Sequence, residues 1–230
     1  MAVLLGIALL FSTNRKGINK RTVGVALGMQ FCVGGFVLFV PWGQVVLKKI
    51  TYAVQKIIDY SQAGIDFMLG GLVSDKMFEL FGGMGFIFAF RVLPVIIFFS
   101  SLIAVLYHLK IMQIVIKMIG GSLQKLLGTS RAESMSAAAN IFVGQTEAPL
   151  VIRPYIANMT RSELFAIMSG GMASIAGTVL AGYAGMGVEL EYLIAGCFMA
   201  APGGLLFAKI LLPETETPSN KILQTSKENL

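Results

Sequence analysis

Charge is what this 230-residue sequence has least of. Asp, Glu, Lys and Arg make up 13% of it, about half the ~25% of a soluble domain. Hydrophobic residues make up 56% and the mean hydropathy is +0.78. Several apolar stretches reach the ~20 residues that cross a bilayer, so a soluble fold is excluded and an all-α integral membrane protein is expected. Histidine occurs once, at His108, and cysteine at Cys32 and Cys197 only. That is too little for a metal-ligand set or a His–acid pair. Both cysteines sit in apolar runs, where a thiol behaves as a small hydrophobe, so neither a disulfide nor a metal site is expected. His108 ends an apolar run and reads as an interfacial residue rather than a ligand. A nucleophile elbow and a phosphate-cradling loop are also missing, which disfavours an enzyme. The net charge of +6 does not point to nucleic acid. The basic residues fall in short loops between apolar segments, where they act as topology signals.

What is present divides into about five transmembrane segments, with amphipathic surface segments between them. Met1 to Phe11 is apolar but about half a span, and reads as a first helix whose start is trimmed. Arg15, Lys16, Lys20 and Arg21 follow with no acid among them, which places this loop in the cytoplasm. Thr22 to Leu47 is a second span with a Gly-rich middle suited to close helix contact. From Val46 to Met68, Leu47, Ile50, Val54, Ile57, Ile58 and Ile65 recur at helical spacing, opposite Lys48, Lys49, Gln55, Lys56 and Asp59. This predicts a helix lying in the bilayer surface.

Met84 to Leu109 is a third span, with Arg91 in its outer part. Arg91 is expected to snorkel or to pair structurally rather than to act in function. Ile111 to Leu127 reads as a second surface helix, broken at Gly120-Gly121. Ser162 to Val188 and residues 191–212 supply the last spans, and Pro213 to Leu230 is a polar tail or connecting loop.

Between these segments lies Gly144-Gln145-Thr146-Glu147-Ala148-Pro149, a polar cluster within apolar sequence. A carboxylate at bilayer depth costs several kcal/mol, so Glu147 is a functional-site hypothesis by default. Gly144 and Pro149 bracket it and predict a broken helix, which is tolerated at that depth only where it is buried or lines a cavity. Ser134 to Ile152 is no longer than one ~20-residue span, yet it holds Asn140, Gln145, Thr146, Glu147 and Pro149. Arg131 precedes it, and Arg153 and Arg161 follow it. Basic residues at both ends predict a re-entrant helical hairpin that enters from the cytoplasm and returns.

The hairpin offers hydrogen-bonding chemistry. Gln145 both donates and accepts, Thr146 carries a hydroxyl, and Glu147 accepts as an anion. Such a set holds a polar uncharged ligand. Asn140 could give a side-chain oxygen to a small hard cation, with backbone carbonyls at the broken helix as further ligands. The bland alternative is a turn at the membrane surface. Further on, Ser169-Gly170-Gly171-Met172-Ala173-Ser174-Ile175-Ala176-Gly177-Thr178 is a dense run of small residues. The residues leave two readings open: close helix packing, or a local unwinding whose hydroxyls and carbonyls bind a cation.

Gly120 to Lys125 and Gly144 to Tyr155, together with Met159 to Met168 and Gly170 to Gly177, are similar to the concentrative nucleoside transporter family. The similarity extends over nearly the whole chain, including Phe86 to Pro94 and Ala201 to Lys209. It implies a homotrimer in the bacterial inner (plasma) membrane that imports nucleosides, coupled mostly to Na+. It implies scaffold spans at 1–109, and at 110–212 the first half of a transport domain, with the re-entrant hairpin at 134–152. It implies that Gln145, Thr146 and Glu147 contact the nucleobase and nearby water. It also implies a Na+ site at Asn140, Val143, Ser174 and Ile175, which favours the unwound reading of the second segment. The pattern Gly144 to Val151 resembles the sodium-coupled branch rather than the proton-coupled members.

Members of that family are considerably longer. The second inverted repeat, which carries the ribose-binding residues, is absent from these 230 residues. The expectation is therefore the N-terminal portion of a sodium:nucleoside symporter, truncated before its second repeat and not transporting by itself. The alternative is a half-size gate-like or partner membrane protein that uses the same hairpin without transport.

Overall fold

The computed structural model describes residues 2–216. These residues are helical, without strands among them. In chain order the helices are α1 (Ala2–Leu10), α2 (Lys20–Phe39), α3 (Pro41–Leu69), α4 (Lys76–Leu80), α5 (Phe88–Arg91), α6 (Leu93–His108), α7 (Ile111–Leu127), α8 (Arg131–Asn140), α9 (Ala148–Val151), α10 (Arg161–Ala173), α11 (Gly177–Gly185) and α12 (Leu190–Leu211).

The helix boundaries follow local chemistry. The second span ends earlier than its apolar pattern suggests, at Phe39 rather than Leu47. Pro41 disfavours αR backbone at Val40, which is extended (φ −95°, ψ 120°), and Pro41 then opens α3. The amphipathic surface helix thus starts at Pro41 and runs to Leu69. The third span is kinked: α5 stops at Arg91, and Pro94 sits in the first turn of α6. The surface helix at 111–127 is not broken at its glycine pair but continuous. A Cβ on Gly120 would lie 3.1 Å from Met135 Cα, so this glycine admits a neighbouring helix instead of ending its own. Phe88–His108 and Leu190–Leu211 are each long and apolar enough to cross a bilayer, and α2 with α3 makes a third candidate if they form one bent span. The remaining apolar segments are shorter helices or helices interrupted at mid-segment. Of the polar tail, 213–216 are described and 217–230 lie outside the described residues.

The chain packs as two compact units, each assembled from separate stretches. One gathers the residues up to Val33, Gln113–Ala176, and those from Cys197 on; the other gathers Gly34–Met112 and Gly177–Gly196. In the second unit Ile65, Val73, Val95, Phe99 and Ala181 form a buried cluster, flanked by Ile57, Ile58, Leu69, Phe90 and Phe98. Arg91 belongs here and is a structural clamp. Its Nη2 donates to the carbonyls of Val73 (2.8 Å) and Ser74 (3.3 Å). It lies 3.6 Å from the Asp75 carboxylate, with its guanidinium over the Phe78 ring. The first unit holds every residue of the predicted site.

A re-entrant hairpin facing a broken helix

The hairpin begins where Gly128 turns the chain out of α7. Its φ of +68° is a left-handed conformation that glycine adopts without strain, and its N–H donates to Gln124 O at 2.9 Å. Ser130 then caps α8 through a capping box: Ser130 N donates to Glu133 Oε2 (2.9 Å) and Glu133 N donates to Ser130 Oγ (3.3 Å). Every residue of α8 from Ala132 to Asn140 is buried. The helix ends at Asn140, and residues 141–147 form a turn. Gly144 anchors that turn twice. Its carbonyl accepts from Glu147 N (3.1 Å) and Ala148 N (3.0 Å), and its N–H donates to Glu147 Oε2 at 3.3 Å. Pro149 sits in the first turn of the return helix α9, where its missing N–H is harmless. A 3₁₀ stretch from Arg153 to Asn158 leads to a second capping box, Thr160 with Glu163, at the start of α10.

The two capping boxes meet the same group. Lys209 Nζ, near the end of α12, pairs with Glu133 Oε1 and donates to Ser162 Oγ at 2.9 Å. Glu214 Oε2 lies 3.5 Å from Lys209 Nζ and accepts from Thr160 Oγ1 at 2.8 Å. The chain therefore leaves one end of the unit at Ser130 and is back at that end by Thr160, as a re-entrant hairpin must.

Opposite the hairpin tip the following helix is interrupted. α10 ends at Ala173; Ser174 is extended (φ −103°, ψ 149°), and α11 starts at Gly177. The small-residue run is closely packed at one position and unwound at another. A Cβ on Gly204 would lie 3.0 Å from Gly170 Cα, so Gly170 marks a tight helix crossing, while Ser174 to Ala176 is unwound. The tip lies against this break. A Cβ on Gly144 would be 3.7 Å from Ala176 Cβ, one on Gly171 3.1 Å from Gln145 Cβ, and one on Gly170 3.9 Å from Asn140 Nδ2.

The predicted residues fall into two sets. Gln145, Thr146 and Glu147 are exposed at the tip, although Glu147 Oε2 already accepts from Gly144 N. Asn140 and Val143 are buried, at 3% and 1% exposure, and Ser174 and Ile175 are half-buried. Asn140 Oδ1 is buried without a hydrogen-bond partner. Most buried polar atoms have one, so an orphan needs a reason. Ser174 Oγ donates to Gly171 O at 3.2 Å, and Ile175 O accepts a weak bond from Cys197 Sγ at 3.7 Å. The donor set is oxygen throughout, as a hard cation requires, and the orphaned Asn140 oxygen fits such an ion. Nothing in the sequence marks Lys209. It reads as an ordinary basic residue at the end of a span, and its buried carboxylate partner, Glu133, lies far off in the chain.

A hairpin whose polar tip meets an interrupted helix is an arrangement that membrane transporters use to hold ions and polar solutes. Residues 1–72 match the N-terminus of the Na+-dependent nucleoside transporters, and 89–189 match a nucleoside-recognition (gate) domain. An uncharacterized transporter of Haemophilus influenzae is 61% identical over 221 residues, covering 96% of this chain and 52% of that protein. The nucleoside permease NupC of Helicobacter pylori is 56% identical over 220 residues, with the same two coverages, 96% and 52%. A solved structure described as CNTnw in an inward-facing substrate-bound state is 64% identical and superposes with a TM-score of 0.94, covering 98% of this chain and 55% of that one. The chain belongs to the concentrative nucleoside transporter family and corresponds to its N-terminal portion. It is a membrane protein and not an enzyme. It spans about half the length of the curated relatives it matches.

Proposed function

We propose that this chain supplies the first hairpin and its facing broken helix to a sodium-coupled nucleoside symporter that imports nucleosides across a bacterial inner membrane. The orphaned, buried Oδ1 of Asn140, on a hairpin whose Gly144 faces Ala176 of the unwound Ser174–Ala176 segment, carries this reading. Gln145, Thr146 and Glu147 bind the nucleobase: the amide pairs with a donor and an acceptor on one base edge, and the carboxylate accepts from a second donor. Asn140 Oδ1, the Val143 and Ile175 carbonyls and Ser174 Oγ hold Na+. When bound, the ion would supply positive charge to a hairpin whose tip carries the Glu147 carboxylate. The capped ends of the hairpin at Ser130 and Thr160, fastened to Lys209 and Glu214, keep the tip in register with the break. In this reading 1–109 is scaffold, 110–212 is the first half of the moving domain, and the working assembly is a homotrimer.

Equilibrium binding of labelled nucleoside to the purified protein, with sodium exchanged for choline, tests the assignment. Binding is expected to need sodium. It should fall about tenfold or more in Glu147→Gln, because a hydrogen bond to a charged group is lost. Binding that is unchanged in Glu147→Gln would sink the substrate assignment. A sodium requirement that is unchanged in Asn140→Ala would sink the cation assignment.

A further inference from the structure

Asn140 is not alone. Ser136 Oγ, on the same helix one turn earlier, is also buried without a partner, and Ser136 is only 1% exposed. A serine inside a helix ordinarily bonds back to a carbonyl one turn away, as Ser134 Oγ does to Ser130 O at 2.8 Å. Ser136 does not. Glu133 lies one turn further back, and residues 133, 136 and 140 fall at the spacing that lines one face of a helix. At the Glu133 end is a cavity of about 240 Å³ lined by Asn19, Thr22, Ser130, Glu133, Lys209 and Glu214 among others. Two carboxylates against one ammonium leave that cavity acidic and hydroxyl-rich.

We infer that α8 carries a second cation position, at Ser136, between Asn140 and the acidic cavity at Glu133 and Lys209. The inference rests on the sodium reading of Asn140. Two unpartnered oxygens on successive turns are about 6 Å apart along the axis for four residues. That suits one ion moving between two stops better than two separate structural defects. Ser136 Oγ supplies a hard oxygen at the inner stop. The carboxylates at the cavity end attract the cation into the track. Lys209 holds the Glu133 carboxylate at its mouth and keeps that charge from trapping the ion.

The test is sodium-titrated thermal unfolding of the purified chain in detergent, with choline keeping ionic strength constant. Sodium is expected to stabilise the wild type, and Asn140→Ala to remove most of that effect. Ser136→Ala should raise the half-saturating sodium concentration by a smaller factor, up to about twofold, because one ion shared between two stops loses only the weaker of them. In sodium-free buffer it should unfold no lower than wild type, because it deletes an unsatisfied buried hydroxyl. Ser136→Cys keeps the volume but offers a soft sulfur, and is expected to behave like Ser136→Ala. If Asn140→Ala shifts the titration while both Ser136 variants overlay the wild type, the second position is wrong and the sodium site stands. If Asn140→Ala leaves the titration unmoved, or sodium has no effect on the wild type, the sodium reading fails and this inference fails with it.

Discussion

Lys209 is the residue on which the hairpin's two ends converge. It is 7% exposed, and Glu133 beside it is 2% exposed. A buried ion pair is weak evidence of net stability, because desolvating both charges offsets their attraction; removing one partner, however, strands the other. Lys209→Met is therefore expected to destabilise the protein by about 3–5 kcal/mol, read as a lower unfolding temperature in detergent. The double variant Lys209→Met, Glu133→Leu should recover most of that loss. Equal destabilisation of the single and the double would mean that Lys209 acts mainly through Ser162 and Glu214 instead. The sequence marked the residues at the hairpin tip because a carboxylate among apolar neighbours is conspicuous on its own. Lys209, Glu133 and Ser136 could not be marked in that way. A basic residue at a span end, an acid in a capping box and a serine among alanines each have an ordinary local reading. Only burial and the absence of a partner change it, and both depend on what the chain brings alongside.

Glycines show the same division at the level of helices. The pair Gly120-Gly121 looked like a break, because glycine weakens a helix, and the run Gly170-Gly171 was compatible with either packing or unwinding. The structure separates these possibilities by what stands opposite each position. Gly120 faces Met135 and Ser134, Gly204 faces Gly170, and nothing lies within 4 Å of a Cβ on Gly121. The interruption falls three residues after Gly171, at Ser174, within the small-residue run and next to Ala176, which faces the hairpin tip. Substitutions with alanine should therefore change sign along the chain. Gly204→Ala pushes against backbone at 3.0 Å and is expected to cost about 1–3 kcal/mol. Gly121→Ala meets open space in an exposed part of α7 and is expected to stabilise by about 0.5–1 kcal/mol. Thermal unfolding of the two variants side by side checks this, and a shift in the same direction for both would contradict the close crossing of α10 and α12. Helix existence and amphipathic faces were legible because they depend on local periodicity. The interruption at Gly144–Pro149 was legible because a polar cluster stands there between glycine and proline, whereas the one at Val40-Pro41 was hidden by an apolar pattern that runs on to Leu47, and a glycine's role depends on its neighbour in space.

Across the whole molecule the strongest constraint is where the hairpin's ends emerge. Arg131 precedes it and Arg153 and Arg161 follow it. A straight crossing would put one of these basic groups on each side of the membrane, against the positive-inside bias. The packing gives an independent argument: Ser130 and Thr160 open their helices at one cluster, through Glu133 and Ser162 on Lys209 and through Thr160 on Glu214. Residues 141–143 of the freed backbone are buried or half-buried in protein, while 145–147 are exposed at the tip, where freed backbone at membrane depth has to line a cavity. Labelling can decide the matter. With Cys32→Ser and Cys197→Ala as background, Lys125→Cys and Asn158→Cys place one thiol before and one after the hairpin, both at exposed positions. A membrane-impermeant maleimide applied to sealed vesicles of one orientation should reach both thiols or neither. The accessible orientation should be the one with the cytoplasmic face outward, if the basic loops set the topology. Reaction of Lys125→Cys and Asn158→Cys from opposite faces would show that the segment crosses the bilayer once. A single crossing would leave the tip residues Gln145, Thr146 and Glu147 within an ordinary span, with no turn to present them to a ligand.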